Sequence, residues 1–214
     1  MGERSKAHIN NTRARKGGSL EASVMGVTLA SVRDKLSRRD PVTADPEGRH
    51  QAAVALLLAP GDAGLDFLLI RRAEREGDPW SGQMGLPGGR LDEADPDLLA
   101  TAVRETWEEV GVELDRASVI GQLDDVAPTI QHLPRMLVRP YVFGLTERPP
   151  LRPSQEVATA VWAGLGGLPK ARVEETIQVR EWQRRVTGFK VGSHLVWGMT
   201  EHILLSFMGL TDIT

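Results

Sequence analysis

The 214-residue sequence has no cysteine, which removes disulfides, a thiol nucleophile and any Cys-ligated zinc or iron–sulfur centre, and suits a reducing compartment. No apolar run approaches the roughly 18–20 residues that span a bilayer, and the opening "MGERSKAHINNTRARKGG" lacks the apolar centre of a secretory signal. An excess of one charge is missing too. Lys and Arg number 26 against 29 Asp and Glu, a net charge of −3, so nothing draws the chain to nucleic acid in general and phosphate recognition must come from a local site. The expectation is a soluble, cytoplasmic protein with neither nucleic acid nor membrane as partner. His132 and His194 stand alone in the sequence and read as structural or surface residues.

What is present is a composition 41% hydrophobic, enough to bury a substantial core in one large domain. Residues 1–24 are basic and polar and read as a flexible tail, with Met25 an alternative start. Residues 25–49 hold a helix in "TLASVRDKLSRRDP" and a polar linker, and 50–214 form the domain proper, its core starting near Gln51. "AAVALLLAP", "GDAG" and "LDFLLIRRA" read as a hairpin whose first strand is apolar enough to be central in a sheet. The Gly- and Pro-dense "GDPWSGQMGLPGGRLDEAD" is irregular apart from an extended piece at 83–86.

A helix is predicted from Pro96 or Asp97 through Val110, with Asp95 as N-cap, Pro96 in the first position and Gly111 just past the end. Leu99, Ala102, Val103, Thr106 and Val110 form its core stripe. Strands are predicted over 118–123, 136–145 and 156–162, with "ERPPLRP" an exposed connection. Residues 172–197 read as extended with a turn at "TGF", and "GMTEHILLSFMGL" as a closing helix. The pattern is mixed α/β, without internal repeats.

Beside the core stripe of the central helix, "RETWEEVG" places Glu105, Glu108 and Glu109 within an arc of roughly 100°. Like charges so spaced cost roughly 0.2–0.5 kcal/mol per pair. Either the acids face water or something positive sits among them. Oxygen ligands of this kind suit Mg²⁺, which binds through one or two carboxylates together with substrate phosphates. The bare backbone of Gly88 and Gly89 just upstream lets a ligand approach closely.

Taken together, Gly89 to Val112, "GRLDEADPDLLATAVRETWEEVGV", resembles the Nudix box, G-x5-E-x7-R-E-U-x-E-E-x-G-U with U aliphatic. Gly89, Arg104, Glu105, Glu108, Glu109, Gly111 and Val112 fall on its fixed positions. Asp95 stands where the family has its first Glu, the next segment is one residue longer, and Thr106 replaces an aliphatic residue. Asp95 reads as a helix cap or as a partner of Arg104 that braces the loop.

The resemblance implies an α+β fold, a β-α-β sandwich with a mixed sheet between helices and an N-terminal extension. It implies hydrolysis of a nucleoside diphosphate linked to another moiety. Mg²⁺ or Mn²⁺ would be held by Glu105, Glu108 and Glu109 with help from the Gly89 carbonyl, and Arg104 belongs to the same catalytic set. One carboxylate takes the proton of the attacking water, with Glu105 preferred; Glu156, in "SQEVATAVW", is a further candidate ligand or base. Relatives of this sort are often homodimers, though no patch in the sequence marks an interface.

Outside the box, "LLIRRAEREGDPWSGQMGLPGG", "LRPSQEVATAVWAGLGGL" and "GSHLVWGMTEHILL" are similar to segments of the coenzyme A pyrophosphatase subfamily. That likeness implies coenzyme A as substrate, cut to 4′-phosphopantetheine and adenosine 3′,5′-bisphosphate. Arg71, Arg72 and Arg75 are candidate phosphate partners, or strand-end charges in water. Trp80, where the subfamily has His, is a candidate base-stacking residue or loop anchor, and Gln83 lies on the same approach. Alternatives are the same chemistry on an ADP-sugar, a dinucleotide or a nucleoside triphosphate, and a module that binds a nucleotide without cleaving it.

Overall fold

The computed structural model describes residues 26–78, 80–128, 135–179 and 182–214. The basic tail and His132 lie outside the described residues.

Alternation within two apolar strands sets the architecture. In β1 (His50–Gly61) Leu56 and Leu58 face one side of the sheet, while Ala53, Ala55 and Leu57 face the other. In β2 (Gly64–Arg72) Phe67 and Leu69 oppose Leu68 and Ile70 in the same way. A strand apolar on both faces must be covered on both, so the sheet is the middle of three layers. The two strands form the expected hairpin, with Gly61 opposite Gly64 at the "GDAG" turn.

Around them stand β3 (Met84–Gly85), β4 (Gly88–Arg90), β5 (Val119–Gln122), β6 (Met136–Gly144) and β7 (Val157–Gly164). The main path runs β3-β2-β1-β6-β5, with β4 also on β1 and β7 also on β2. β1 is parallel to β6 and antiparallel to β2 and β4, so the sheet is mixed.

One face is covered by α2 (Leu98–Val110), which buries Leu98, Ala102 and Val110 against Ala55, Leu57, Leu68 and Ile70. The other is covered by α1 (Leu29–Ser37) and α3 (Met199–Thr211). Val32 and Leu36 of α1 join Ile203, Leu204 and Phe207 of α3 in one cluster, so the core reaches back beyond Gln51. A capping box starts α1: Ser31 N–H donates to Thr28 Oγ1 at 3.1 Å and Thr28 N–H to Ser31 Oγ at 2.9 Å.

A second antiparallel sheet, β8 (Arg172–Val179), β9 (Trp182–Val191) and β10 (His194–Trp197), follows a 3-10 segment at Leu165–Ala171. The turn expected at "TGF" is not there. Thr187, Gly188 and Phe189 lie inside β9, all three paired with β8 and the last two also with β10. Gly188 reads as a turn former, but its bareness serves close packing: a Cβ there would lie 2.5 Å from the Val196 carbonyl oxygen and 3.2 Å from Trp197 Cβ.

Candidate active site

The site is built where α2 crosses the end of β4. The helix starts later than the sequence suggests: its N-cap is Asp97, whose side chain accepts from Ala100 N–H at 2.8 Å. Asp95 is therefore not the cap. Its carboxylate is freed for Arg104, accepting from Nε at 3.0 Å and Nη2 at 2.8 Å, and it also accepts from Thr101 Oγ1 at 2.9 Å. The extra residue in this segment gives the chain room to place one aspartate at the cap and another on the arginine. Leu99 and Val103, expected in the core stripe, are only partly buried; Leu98 and Thr101 take the inner positions. Thr106, where the pattern asks for an aliphatic residue, is wholly buried with its hydroxyl donating to the Ala102 carbonyl at 2.7 Å.

Gly111 ends the helix in the left-handed region, φ 69°, its N–H donating to the Trp107 carbonyl. The proline-rich connection then satisfies the last turn: Arg152 N–H donates to the Val110 carbonyl at 2.8 Å and Ser154 N–H to the Glu109 carbonyl at 2.9 Å. This strap leads directly to Glu156, whose carbonyl accepts from Ala73 N–H at 2.8 Å at the end of β2.

Arg104 is the positive charge among the acids. Besides Asp95 it reaches Glu105 Oε1 at 2.9 Å and Glu108 Oε2 at 3.0 Å through Nη1, and the Arg90 carbonyl at 3.1 Å through Nη2. The bidentate pair with Arg104 holds the Asp95 carboxyl down at about 2, and the Asp95 hydrogen bonds raise the Arg104 pKa.

Asp95→Asn should therefore cost about 2 kcal/mol at neutral pH, the equivalent of its pKa displacement. The folded pKa is depressed, so this contribution is complete above the unfolded value near 4 and is lost as pH falls to about 2. Denaturant unfolding at pH 7 and near pH 2 checks it: the variant is weaker at the first and matches the wild type at the second.

Glu109 differs from its neighbours. It is 3% exposed, and Oε2 accepts from Gly88 N–H at 2.9 Å. The nearest cation, Arg72 Nη1, stands 3.9 Å from Oε1 and is itself held by Asp78 at 3.0 Å. Burial pushes the Glu109 carboxyl up to about 7, with Glu105 and Glu156 adding repulsion. Glu105 is raised as well, first by burial and against the pull of Arg104. Glu105 sits on the bare face of β4: a Cβ at Gly89 would come within 2.3 Å of its carboxylate.

Two glycines thus shape the metal candidate. Gly88 supplies an N–H to Glu109, and Gly89 leaves the space that the Glu105 carboxylate fills. These hard oxygen donors suit a divalent cation. Among the described residues no three His, Cys, Asp or Glu side chains form a metal cage, and Arg104 spans Glu105 and Glu108. A cation would share those oxygens with Arg104, which Asp95 and the Arg90 carbonyl keep in place.

The three arginines expected to meet phosphate each carry an acidic partner: Arg71 with Glu74 at 2.6 Å, Arg72 with Asp78, and Arg75 with Glu156 at 3.0 Å. Trp80 is half-buried and its N–H donates to Asp78 Oδ1 at 2.9 Å, while the Gln83 carbonyl accepts from Arg72 N–H at 3.0 Å. Asp78 was not singled out from the sequence. It ties the loop to Arg72, and its hydrogen bonds from Trp80 N–H and Arg72 outweigh burial to lower its pKa. Its place in a Gly- and Pro-rich loop six residues after an arginine was the only signal of that role.

The NUDIX domain family matches residues 48–183. An uncharacterized Nudix hydrolase, NudL, of Salmonella heidelberg is 30% identical over 177 residues, covering 78% of this chain and 85% of that protein. The human mitochondrial coenzyme A diphosphatase NUDT8 is 30% identical over 169 residues, 74% of this chain and 68% of the other. An uncharacterized protein of Schizosaccharomyces pombe is 39% identical over 117 residues; the match spans 52% of this chain but only 36% of that protein. In fold, the chain is similar to a MutT/nudix family protein of Enterococcus faecalis, with a TM-score of 0.56, 18% identity and coverage of 86% of this chain and 70% of the other.

Proposed function

The chain belongs to the Nudix hydrolase family, and from that premise we propose that it hydrolyses the pyrophosphate bond of coenzyme A or a derivative with Mg²⁺ or Mn²⁺. The observation that carries the reading is the buried Glu109, held by Gly88 N–H beside Glu105 and short of a full cationic partner. Glu105, Glu108, Glu109 and the Gly89 carbonyl would hold the metal. Held there, it would supply charge neutralisation at the phosphate oxygens and a lowered pKa for water.

The chain's own groups supply the rest. The water oxygen attacks phosphorus, the bridging P–O bond breaks, and the water proton passes to a carboxylate. Glu105 is the preferred base on access: its side chain is 18% exposed against 4% for Glu109, while each has one oxygen engaged, Glu105 by Arg104 and Glu109 by Gly88 N–H. Arg104, fixed on Asp95, positions Glu105 and Glu108. Glu156 stands behind Arg75 and adds negative potential at Glu105 and Glu109. Arg71, Arg72 and Arg75 would exchange their acidic partners for substrate phosphates.

The coenzyme A assignment rests on the likeness to a protein named as a coenzyme A diphosphatase. Trp80, in place of the histidine of that subfamily, favours as a second reading the same cleavage on another nucleoside diphosphate derivative. Among the described residues no helix is long and apolar enough to cross a membrane. A cytoplasmic place is part of this reading and rests on the cysteine-free chain; NUDT8 and Nudix hydrolase 15 of Arabidopsis thaliana are named as mitochondrial.

Mass spectrometry of products tests the substrate. The protein is incubated with Mg²⁺ or Mn²⁺ and, separately, coenzyme A, an acyl-coenzyme A, NADH, ADP-ribose, a diadenosine polyphosphate and nucleoside triphosphates. Appearance of 4′-phosphopantetheine and adenosine 3′,5′-bisphosphate is expected. Cleavage of another member alone rejects coenzyme A and keeps the chemistry, and binding without any cleavage rejects the enzyme.

A further inference from the structure

Between the loop that follows β2 and the second sheet lies a cavity of about 350 Å³. One wall comes from Asp78, Gln83 and Met84, the other from Ile177 of β8 and from Leu195 and Trp197 of β10. Asp78 lines it and also grips Arg72, the arginine whose other arm stands 3.9 Å from Glu109, which links the cavity to the carboxylate site by one pair of side chains. Its far wall includes β10, beyond the 48–183 span that matches the family.

The charge of the wall says which part of a substrate fits. Among the described residues no Lys or Arg lines it; Arg71 and Arg72, which reach the lining residues Gly82 and Asp78, are already engaged by Glu74 and Asp78, so among the described residues a phosphate-bearing group meets no free cation in the wall itself. The lining mixes apolar Met84, Ile177, Leu195 and Trp197 with polar Ser81, Gln83, Gln178 and His194, the polar surface being the larger share, which suits a slender neutral chain rich in amides. Trp197 is held in this wall by the bare face of Gly188 opposite it on β9.

We propose that this cavity seats the uncharged, amide-bearing arm of the substrate and that Ile177 and Trp197 set the preference for it. The proposal rests on the coenzyme A reading above. The adenosine 3′,5′-bisphosphate half carries phosphates at both ends and is turned away by this wall, whereas the pantetheine arm is neutral beyond its single phosphate.

Pantetheine itself, which carries no phosphate, is the probe. Its binding to wild type, Ile177→Trp and Trp197→Ala is titrated by ligand-observed NMR, with circular dichroism confirming that each variant folds, and the same proteins are assayed on coenzyme A. Saturable binding to wild type is expected, displaced by coenzyme A. Each variant should weaken it and raise KM for coenzyme A about tenfold with kcat kept, the scale of a reshaped apolar pocket. Equal pantetheine binding by wild type and both folded variants, or none by wild type, overturns the proposal. Turnover of coenzyme A that neither substitution alters overturns it while leaving the proposed function standing. Pantetheine binding lost in Ile177→Trp, in a protein that never cleaves coenzyme A, supports the cavity and removes the proposed substrate.

Discussion

A Glu109→Gln variant is expected to lose about 10²–10³-fold or more in kcat while melting at the wild-type temperature or above it. The two outcomes separate because the residue has two tasks. Its structural task is to accept the Gly88 N–H at 2.9 Å, which a Gln amide oxygen does equally well. Its chemical task needs a charge that the fold supports only weakly: 3% exposure, one backbone donor and an arginine at 3.9 Å already engaged by Asp78. Removing a buried charge without a full partner relieves the fold, so stability holds as activity goes. Steady-state turnover and a melting curve on one preparation check both. Near-normal turnover would show that α2 presents its acids to something other than the reaction.

The adjacent glycines should fail in different ways, and this is the second large effect. Gly88 has φ 149°, and a Cβ there would lie 2.2 Å from the Ala53 carbonyl oxygen and 2.6 Å from Val54 Cα, backbone atoms locked in the β1–β4 pairing. Neither can move without breaking the central strand. Gly88→Ala should cost about 3 kcal/mol, a fall of about 6–12 °C in a chain of this size. At Gly89 the obstacle is the Glu105 carboxylate, the free end of a side chain, which can swing aside. Gly89→Ala should stay folded, with a small change in Tm, and lose about 10²-fold in kcat because a carboxylate displaced by an ångström no longer meets the reacting atoms. If the two alanine variants behaved alike, the cradle would not be what positions Glu105.

The hairpin and the end of α2 at Gly111 were legible because each has a local cause, an apolar strand pair about a Gly-containing turn and a left-handed glycine, whereas the mixed sheet between helices was legible through the family resemblance. The helix that carries Glu105, Glu108 and Glu109 was legible too. The start of α2 was not, since Asp95 and Asp97 are equally good caps in isolation. Only the reach of Arg104 back across the first turn decides between them. The "TGF" segment misled for a related reason: Gly188 reads as a turn former, but its bareness serves the close approach of β10, a neighbour set by tertiary pairing. Nor could spacing show that Glu109 points inward or that each arginine holds an acid, because the first depends on Gly88 and Arg72 meeting α2 and the second on Glu74, Asp78 and Glu156 meeting the end of β2.

The central claim is that the carboxylate face of α2 binds a divalent cation through Glu109. Titration of Mn²⁺ into wild type and Glu109→Gln, reading the free ion by electron paramagnetic resonance, tests it most directly. The account predicts saturable binding to the wild type and an affinity lower by about tenfold or more in the variant. Equal binding by the two proteins, or none by the wild type, would contradict it.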